Sequence, residues 1–366
     1  MFENAFKQVT LANLSGTLLA CIAATVLFMY IYANYVDEPT KPLSSKPGPD
    51  MPPPSEVTQL WIYPIKSCRG IRVESARLKK TGLDLDRNWM FIDKEKREFL
   101  TIRNDPSFTL VDTSLSDDRK ELTIKIHGTD DAVTVPTRPT QKWFEENTKL
   151  VQVNIWGAET DAYEYGEHIN SIFTDYFNKP VSLVFKGPSP RWGGANADIK
   201  LYGKQQAHHF ADVMSLQVAS EASLADLNAH LKEKGESELT IERFRPNIVI
   251  KGNEPWEEDR WKRVQFTNVD HSRELLWKAK LDVVAHCARC QVPNVDPDTA
   301  EKHKHEPWDT LMSFRRIDMG GVAKYKPCFG MLCIPTAEMD LTVGSRLEVL
   351  EVTDKHVYNT AKFDEL

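Results

Sequence analysis

The chain has little cysteine and no excess of positive charge. Six cysteines occur among 366 residues, and one of them, Cys21, lies in a long apolar run. A small secreted domain held by disulfides has a much denser cysteine pattern, so we expect the body of the protein to lie in a reducing compartment. The formal net charge is -7. A general nucleic-acid-binding protein carries a basic surface, so the charge argues against that class.

Several sequence motifs are also missing. The chain has no internal repeat, no G-x-S-x-G, no phosphate-binding P-loop and no complete dinucleotide fingerprint. Serine hydrolases need the exposed nucleophile of the first motif, and kinases and NAD enzymes need glycine-rich loops whose backbone N–H groups hold phosphates. The chain therefore lacks the motifs that these enzyme classes need for catalysis.

The first feature that is present is an apolar run near the N-terminus. No charged residue occurs between Lys7 and Asp37, and three tyrosines cluster at the carboxyl end of the run. About 20 apolar residues suffice for a helix to cross a membrane, and tyrosine rings suit its interface. A cleaved secretory signal would have a basic start and a shorter apolar region. We therefore predict a leader at 1–13 and an uncleaved transmembrane anchor at 14–36.

The segment 37–56 is rich in proline. It contains seven prolines and no aromatic residue. Such a segment cannot bury enough apolar surface to offset its ordering entropy, and proline keeps it extended. We predict that it is a tether between the anchor and a folded body.

The body is predicted to be mainly β with a few helices, an α+β fold in two barrel-like parts. Patterns typical of short strands dominate from residue 57, and helical spacing of apolar residues marks HINSIFTDYF and SEASLADLNAHLKEK, with Ser220 as an N-cap. Proline and glycine break the pattern near residue 190. We expect one domain at 57–190, a second at 191–353 and a tail at 354–366.

Cysteines in two pairs form the sharpest chemical signal. Cys287 and Cys290 form a C-x-x-C, and Cys328 and Cys333 follow downstream. Four thiolates suit zinc, a C-x-x-C suits a redox pair, and one thiolate suits a catalytic metal such as molybdenum, copper or iron. Zinc is disfavoured because residues five apart on a strand point to opposite faces. From the residues alone, these readings and that of buried thiols without a role stay open.

Histidine is the second candidate ligand type. His208 and His209 are adjacent, and His286 directly precedes the C-x-x-C. Adjacent side chains diverge on an extended chain, and no carboxylate is evident to orient a ring. We therefore predict structural or surface roles for all three histidines.

From Leu60 onward the chain resembles the MOSC-domain family, and within it the mitochondrial amidoxime-reducing component. The order of several chemically unusual segments carries this resemblance and makes it more specific than any one of them. The matching segments are LWIYPIKSCRG (60–70), GLDLDRNWMFID (82–93), SEASLADLN (220–228), FRPNIVIKG (244–252), CARCQVPNVDPDT (287–299) and KPCFGMLC (326–333).

The resemblance implies an N-terminal MOSC β-barrel domain joined to a MOSC β-barrel domain, with a molybdenum cofactor between them. This cofactor is a phosphorylated pyranopterin whose dithiolene holds the metal, and Cys290 is the implied protein ligand and catalytic residue. A phosphate requires cationic forks and hydrogen-bond donors. By motif position, the implied cofactor-binding residues are Lys66, Ser67, Arg87, Arg245, Asn247, Arg289 and Cys290.

The chain departs from the family pattern at several positions. Val213 and Met214 stand where relatives carry a small hydroxylated pair, so a cofactor contact there would come from backbone groups or from Ser215. Ala288 stands where close relatives have serine, and Leu332 stands where an aromatic residue can occur. These changes leave the implied metal site intact and bear on substrate preference.

The implied activity is reduction of N-hydroxylated compounds such as amidoximes, hydroxylamines and N-hydroxylated bases. The implied electron donors are cytochrome b5 and NADH-cytochrome b5 reductase, because the chain has no flavin or nicotinamide motif. The implied location is the mitochondrial outer membrane with the body in the cytosol, and the endoplasmic reticulum is the alternative. A different class of function is a sulfur carrier, in which Cys290 bears a persulfide.

Overall fold

The structure is a computed structural model, and it describes residues 51–193, 196, 206–268 and 278–358. The predicted leader at 1–13, the predicted anchor at 14–36 and most of the tether lie outside the described residues. Within the described part of the chain, no helix is long and apolar enough to cross a membrane.

Strands dominate the described residues, which confirms the mainly β prediction. In the first half they are β1 (Ser55–Ile62), β2 (Ile71–Val73), β3 (Ser75–Lys79), β4 (Gly82–Leu83), β5 (Trp89–Asp93), β6 (Val111–Leu115), β7 (Glu121–Ile126), β8 (Ala132–Pro136), β9 (Thr148–Ile155), β10 (Ala158–Tyr165), β11 (Val181–Lys186) and β12 (Arg191–Trp192). In the second half they are β13 (Ala207–His208), β14 (Leu216–Ser220), β15 (Ile248–Ile250), β16 (Trp261–Thr267), β17 (Lys278–Ala288), β18 (Cys328–Pro335), β19 (Met339–Thr342) and β20 (Arg346–Val352).

The helices are short. The α-helices are α1 (Gln141–Asn147), α2 (Glu167–Phe177), α3 (Glu221–Glu233) and α4 (Trp308–Phe314), and 3₁₀-helices span Pro106–Leu110, Ile241–Phe244, Glu257–Arg260, Val292–Asn294 and Gly321–Tyr325. As predicted, Ser220 is the N-cap of α3, and its side chain accepts a hydrogen bond from the backbone N–H of Ser223. Leu227 and Leu231 are the buried residues on the apolar face of this helix.

A closed barrel of seven strands forms the larger part of the described body. Its order is β1-β15-β14-β18-β17-β16-β20, and β20 pairs again with β1. Neighbouring strands are antiparallel except β14 and β15, which are parallel. The barrel interior is apolar and includes Leu60, Val218, Phe266, Leu281 and Met331. Closure leaves no free strand edge around the ring, which stabilises the sheet.

The first strand of the barrel comes from the N-terminal half of the chain. β1 pairs with β15 on one side and with β20 on the other. It begins at Ser55, whose hydroxyl accepts a hydrogen bond from the backbone N–H of Gly252. The last two residues of the segment 37–56, Ser55 and Glu56, therefore already pair in the sheet.

The remaining first half of the chain has its own apolar core. A four-stranded sheet of order β5-β11-β10-β9 and a three-stranded sheet of order β6-β7-β8 flank it. The rings of Phe91, Phe108, Phe173 and Phe177 meet there at centroid distances of 4.2 to 5.8 Å. This core positions the loops that follow β1, β4 and β5. The predicted division near residue 190 stays a prediction.

Candidate functional site

A cavity collects residues that are far apart in the sequence. It has an empty volume of about 1210 Å³ with its open mouth included. Loops from the first half meet the segments leading into β14 and β15 and the segment that follows β17. All seven predicted site residues line this cavity, namely Lys66, Ser67, Arg87, Arg245, Asn247, Arg289 and Cys290.

The backbone at three of these residues is unusual. Ser67, Arg87 and Arg245 have φ angles of 72°, 50° and 54°, which lie in the left-handed region. A non-glycine residue there costs on the order of 1 kcal/mol and persists only where the surrounding structure imposes it. The N–H of Arg87 donates to the carbonyl of Tyr63 at 2.8 Å, and that of Arg245 donates to Glu242 at 2.9 Å. The fold therefore holds these side chains in position at a local energetic cost.

Two guanidinium groups lie against the same aromatic ring. The guanidinium carbons of Arg87 and Arg245 are 4.6 and 4.2 Å from the ring centroid of Tyr63. Arg87 donates to Asp86 at 2.6 Å and to the side-chain oxygen of Asn247 at 3.1 Å. The side-chain oxygen of Asn247 thus accepts from Arg87, and its side-chain NH₂ group donates to the carbonyl of Trp61 on β1. This pair of cations is preorganised before any ligand arrives.

Arg289 is held in the same way beside the cysteine pair. One terminal nitrogen donates to the side-chain oxygen of Gln217 at 3.0 Å and to the sulfur of Cys287 at 2.9 Å. The other donates to the carbonyl of Phe244 at 2.9 Å. Burial does not remove the positive charge of an arginine, so this cation remains available to an anion in the cavity.

Lys66 forms an ion pair with Asp212 and donates to the carbonyl of Phe210 at 2.8 Å. Arg103 donates to the other oxygen, Oδ2, of the same carboxylate at 2.7 Å, and the indole N–H of Trp156 donates to Oδ1, the oxygen that also pairs with Lys66, at 3.1 Å. Burial lowers the pKa of Lys66 to about 8, although the Asp212 charge opposes this effect. Burial alone would raise the pKa of Asp212, but the two cations hold it well below its usual range.

Cys290 lies just beyond β17 and is half-buried. Burial would lower the pKa of Arg103, but the charges of Asp212 and Cys290 outweigh it and raise that pKa. Cys290 also acts on Lys326, whose pKa burial lowers. The sulfur therefore faces a cationic environment, which suits a metal-ligating thiolate. No three His, Cys, Asp or Glu side chains cluster as a metal site within the described ranges.

Two arginine nitrogens in this cavity stand out because they are buried and unpaired. Nη2 of Arg245 and Nε of Arg289 have no hydrogen-bond acceptor among the described residues. A buried charged donor without an acceptor costs free energy, typically 1–3 kcal/mol or more. Both nitrogens are therefore ready to bind an oxygen-rich anion.

Sequence reasoning missed several residues of the cavity. They are Arg103, Trp156, Asp212, Gln217, Phe244, Lys326 and Tyr358. Asp212 directly precedes Val213, one of the positions where the chain departs from the family pattern. This closeness in sequence was the one signal that could have indicated Asp212. The others come from separate parts of the chain, among them β14 and the 3₁₀-helix Ile241–Phe244, and only the folded chain brings them together.

The three histidines are largely buried. His208 lies 3.1 Å from Arg191, and burial lowers the pKa of His208 well below its usual value. His286 lies 2.8 Å from the carboxylate of Asp318, a partner that was not evident from the sequence. The partner is 32 residues away, which is why local sequence did not reveal it.

Comparisons with known proteins agree with the predicted resemblance. Residues 55–180 match the MOSC N-terminal beta barrel domain, and residues 205–348 match the MOSC domain. The chain therefore belongs to the MOSC-domain family.

Its relatives point to one branch of this family. Mitochondrial amidoxime reducing component 2 of Bos taurus is 32% identical over 282 residues, covering 75% of this chain and 77% of the relative. Mitochondrial amidoxime-reducing component 1 of Homo sapiens is 31% identical over 301 residues, covering 80% and 82%. Molybdenum cofactor sulfurase of Oryza sativa subsp. japonica is 29% identical over 79% of this chain, but the match covers only 34% of that protein.

Proposed function

We propose that this protein is a membrane-anchored, molybdenum-dependent reductase of N-hydroxylated compounds. The observation that carries the proposal is the cavity in which all seven predicted residues meet, with arginine N–H groups buried and unpaired inside it. The identity of about 30% to amidoxime-reducing components over most of the chain supports the same class of reaction.

The donor set fits a phosphorylated molybdenum cofactor. Arg245 and Arg289 each present a free N–H, and Arg87 adds a charge next to Arg245. Arginine forks suit a phosphate, and a half-buried thiol such as Cys290 suits a metal that tolerates soft ligands. In this proposal Lys66, Ser67 and Asn247 complete the binding of the cofactor. Cys290 ligates the metal.

Reduction of an N-hydroxyl group takes up two electrons and two protons and releases water. When bound, the cofactor would supply the two-electron chemistry that cleaves the N–O bond. The protein contributes cations that hold the cofactor and an apolar wall that limits water. Asp212 accepts hydrogen bonds from Arg103 and Trp156, which keeps Arg103 beside Cys290.

The electron supply and the location belong to the same proposal. Cytochrome b5 and NADH-cytochrome b5 reductase are the proposed donors, and residues 14–36 anchor the protein in the mitochondrial outer membrane or, as the alternative, the endoplasmic reticulum. The names of the relatives favour mitochondria. Sharing a membrane raises the effective concentration of donor and acceptor.

The test is metal and pterin analysis of the full-length protein together with its Cys290→Ser variant. We expect stoichiometric molybdenum and pterin, and benzamidoxime reduction with a reconstituted cytochrome b5 chain. Cys290→Ser is expected to abolish this activity, whereas Cys333→Ala, a buried cysteine outside the cavity, should retain molybdenum. Undiminished activity in Cys290→Ser would refute the assignment. A persulfide on Cys290 without molybdenum would instead favour the sulfur-carrier alternative.

A further inference from the structure

The chain does not leave the body when the last barrel strand ends at Val352. Residues 353–358, which we call the strap, continue along the barrel, and Tyr358 reaches the wall of the cavity. Tyr358 is 5% exposed although it lies near the carboxyl end of the described chain. Specific contacts must therefore hold the strap against the body.

Backbone and side-chain contacts attach the strap at successive points. The N–H of Thr353 donates to the carbonyl of Arg260 at 2.7 Å, and a ring nitrogen of His356 lies 2.6 Å from the carbonyl of Trp261. The strap therefore follows the 3₁₀-helix Glu257–Arg260 and the start of β16. One of these contacts is made by the strap backbone and the other by the His356 side chain, and together they fix the path of the strap.

The end of the strap is held by a buried carboxylate. One oxygen of Asp318 accepts the N–H of Tyr358 at 3.1 Å and the N–H of Gly320 at 2.8 Å. The other oxygen lies 2.8 Å from Nδ1 of His286, which directly precedes Cys287 on β17. Asp318 thus links the strap to the strand that carries Cys287 and leads to Cys290.

Gly320 lies against the strap so closely that no side chain fits. A Cβ atom at this position would collide with the carbonyl oxygen of Tyr358 and would stand 2.7 Å from its backbone nitrogen. The φ angle of Gly320 is -94°, so the requirement for glycine comes from packing and not from backbone conformation. The strap is therefore packed tightly on the loop between α4 and β18.

The ring of Tyr358 belongs to an apolar cluster on one wall of the cavity. Its buried neighbours in this cluster include Met214, Ala285 and Leu332, and Cys287 and Ala288 pack against the same cluster. Met214, Ala288 and Leu332 are positions where the chain departs from its family pattern. This wall of the cavity thus consists of apolar residues at positions that differ from the family pattern and of the Tyr358 ring, which the strap positions.

We propose that Tyr358 is a specificity-determining residue that limits the size of the substrate admitted to this cavity. This inference rests on the proposed reduction of N-hydroxylated compounds in the same cavity. A large ring on one wall occupies space that a bulky substrate needs, and well-packed walls discriminate strongly by shape. Small N-hydroxylated substrates are therefore favoured, and removing the ring extends the range to larger ones.

The first experiment compares acetamidoxime with 2-naphthamidoxime in the full-length, cofactor-loaded protein. In Tyr358→Ala we expect the ratio of kcat/KM for the large over the small substrate to rise about tenfold. Tyr358→Phe keeps the ring and should therefore change this ratio far less than Tyr358→Ala does. Lys355→Ala, at an exposed residue of the strap that does not line the cavity, should also leave the ratio unchanged. An unchanged ratio in Tyr358→Ala overturns the proposal.

The second experiment does not depend on activity. In the cofactor-free full-length protein, Cys287 and Cys290 are alkylated with iodoacetamide or with a bulky pyrenyl maleimide, and labelling is followed by peptide mass spectrometry. Tyr358→Ala should accelerate the bulky reagent selectively. Selective acceleration without reductase activity in any variant would refute the proposed function but support the role of Tyr358. No acceleration would contradict that role.

Gly320→Ala provides a variant that leaves the tyrosine in place. Because the added methyl group displaces the strap, we expect the bulky-reagent rate and the substrate ratio to move in the same direction as in Tyr358→Ala. Near-ultraviolet circular dichroism verifies that each variant is folded. A folded Gly320→Ala protein with wild-type values for both readouts would count against the strap as the element that positions Tyr358.

Discussion

At the scale of single residues, the chemistry of the cavity depends on how cations are held before a ligand binds. Arg245 has its backbone in the left-handed region, its guanidinium on Tyr63 and one nitrogen bonded to the carbonyl of Cys68 at 2.7 Å. Burial lowers the pKa of this guanidinium, and arginine side chains stay protonated in proteins. Arg245 therefore keeps its positive charge, and its nitrogen Nη2 has no hydrogen-bond acceptor among the described residues.

The residue-scale prediction concerns Arg245→Lys. The substitution keeps the positive charge but removes the fork, so one charge-assisted hydrogen bond to an anion is lost. Such a bond contributes about 1.5–3 kcal/mol, and we expect cofactor retention to weaken roughly 10- to 100-fold. The measurement is the molybdenum-to-protein ratio after dialysis. Arg260→Lys, at an exposed arginine paired with Asp354, serves as the control and should retain the wild-type ratio.

The residues of this cavity that motifs revealed share a property. Lys66, Ser67 and Arg87 lie in segments that match the family, so the resemblance implied their roles by motif position. Arg103 and Asp212 have no such context, and their ion pair joins loops 109 residues apart. A distant partner leaves no periodic signature in the sequence, so only the folded chain could reveal it.

At the scale of elements, the short 3₁₀-helix Glu257–Arg260 buries a carboxyl group. The Glu258 side chain accepts hydrogen bonds from the hydroxyl of Ser223, with oxygen–oxygen distances of 2.7 and 2.9 Å, which ties this turn to α3. Burial, with a smaller contribution from Asp259, raises the pKa of Glu258 to about 7. Burial in this 3₁₀-helix therefore favours the protonated, neutral form of the Glu258 carboxyl group.

This burial predicts a pH dependence of stability. Between pH 4.5 and 7 the folded protein holds a proton on Glu258 that the unfolded chain has released, so the free energy of unfolding falls as pH rises through this window. The total effect is on the order of 3 kcal/mol. In denaturant unfolding at several pH values, the free energy of unfolding should fall less steeply with rising pH in Glu258→Gln than in the wild type. Equal slopes would contradict the raised pKa.

Elements with strong local signals were predicted well, and those without were not. α3 has an N-cap and an apolar face, and α2 has Ile169, Phe173 and Phe177 at helical spacing, so both were found. The seven-residue helix α1 was missed because only Phe144 on it is buried, which leaves no periodic stripe. Burial of a single residue cannot distinguish a helix from a loop.

At the scale of the whole molecule, the proposal joins a membrane anchor, a tether and a catalytic body. The anchor prediction concerns residues 14–36 and is tested in the full chain by Val26→Arg combined with Leu27→Arg. Each arginine at the centre of a span costs about 2.5–3.5 kcal/mol, so membrane insertion should fail. Gln8→Arg adds a charge outside the run and serves as the control. Carbonate-resistant membrane association is the measurement.

The consequence for activity follows from shared localisation. We expect the double variant to lose roughly 100-fold in activity with membrane-bound cytochrome b5, since the effective concentration falls. With a soluble form of the donor, its activity should equal that of the wild type. Membrane association that survives both arginines would refute the anchor, and equal activity with the membrane-bound donor would refute its proposed purpose.

The sequence by itself determined the class of protein. Its unusual polar segments occur in a fixed order, its strand patterns predict a mainly β body, and its apolar run predicts an anchor. These features are local, because residue chemistry and periodicity of neighbours suffice to define them.

Only the tertiary structure decided which residues share the cavity. β1 closes a barrel by pairing with β15 about 190 residues later and with β20 about 290 residues later, Asp212 meets Arg103, and Asp318 holds the strap so that Tyr358 reaches the wall. The reason is physical: pairing across a barrel and burial of an ion pair are contacts between distant segments. Their free energy depends on the closed fold as a whole and not on any one stretch of chain.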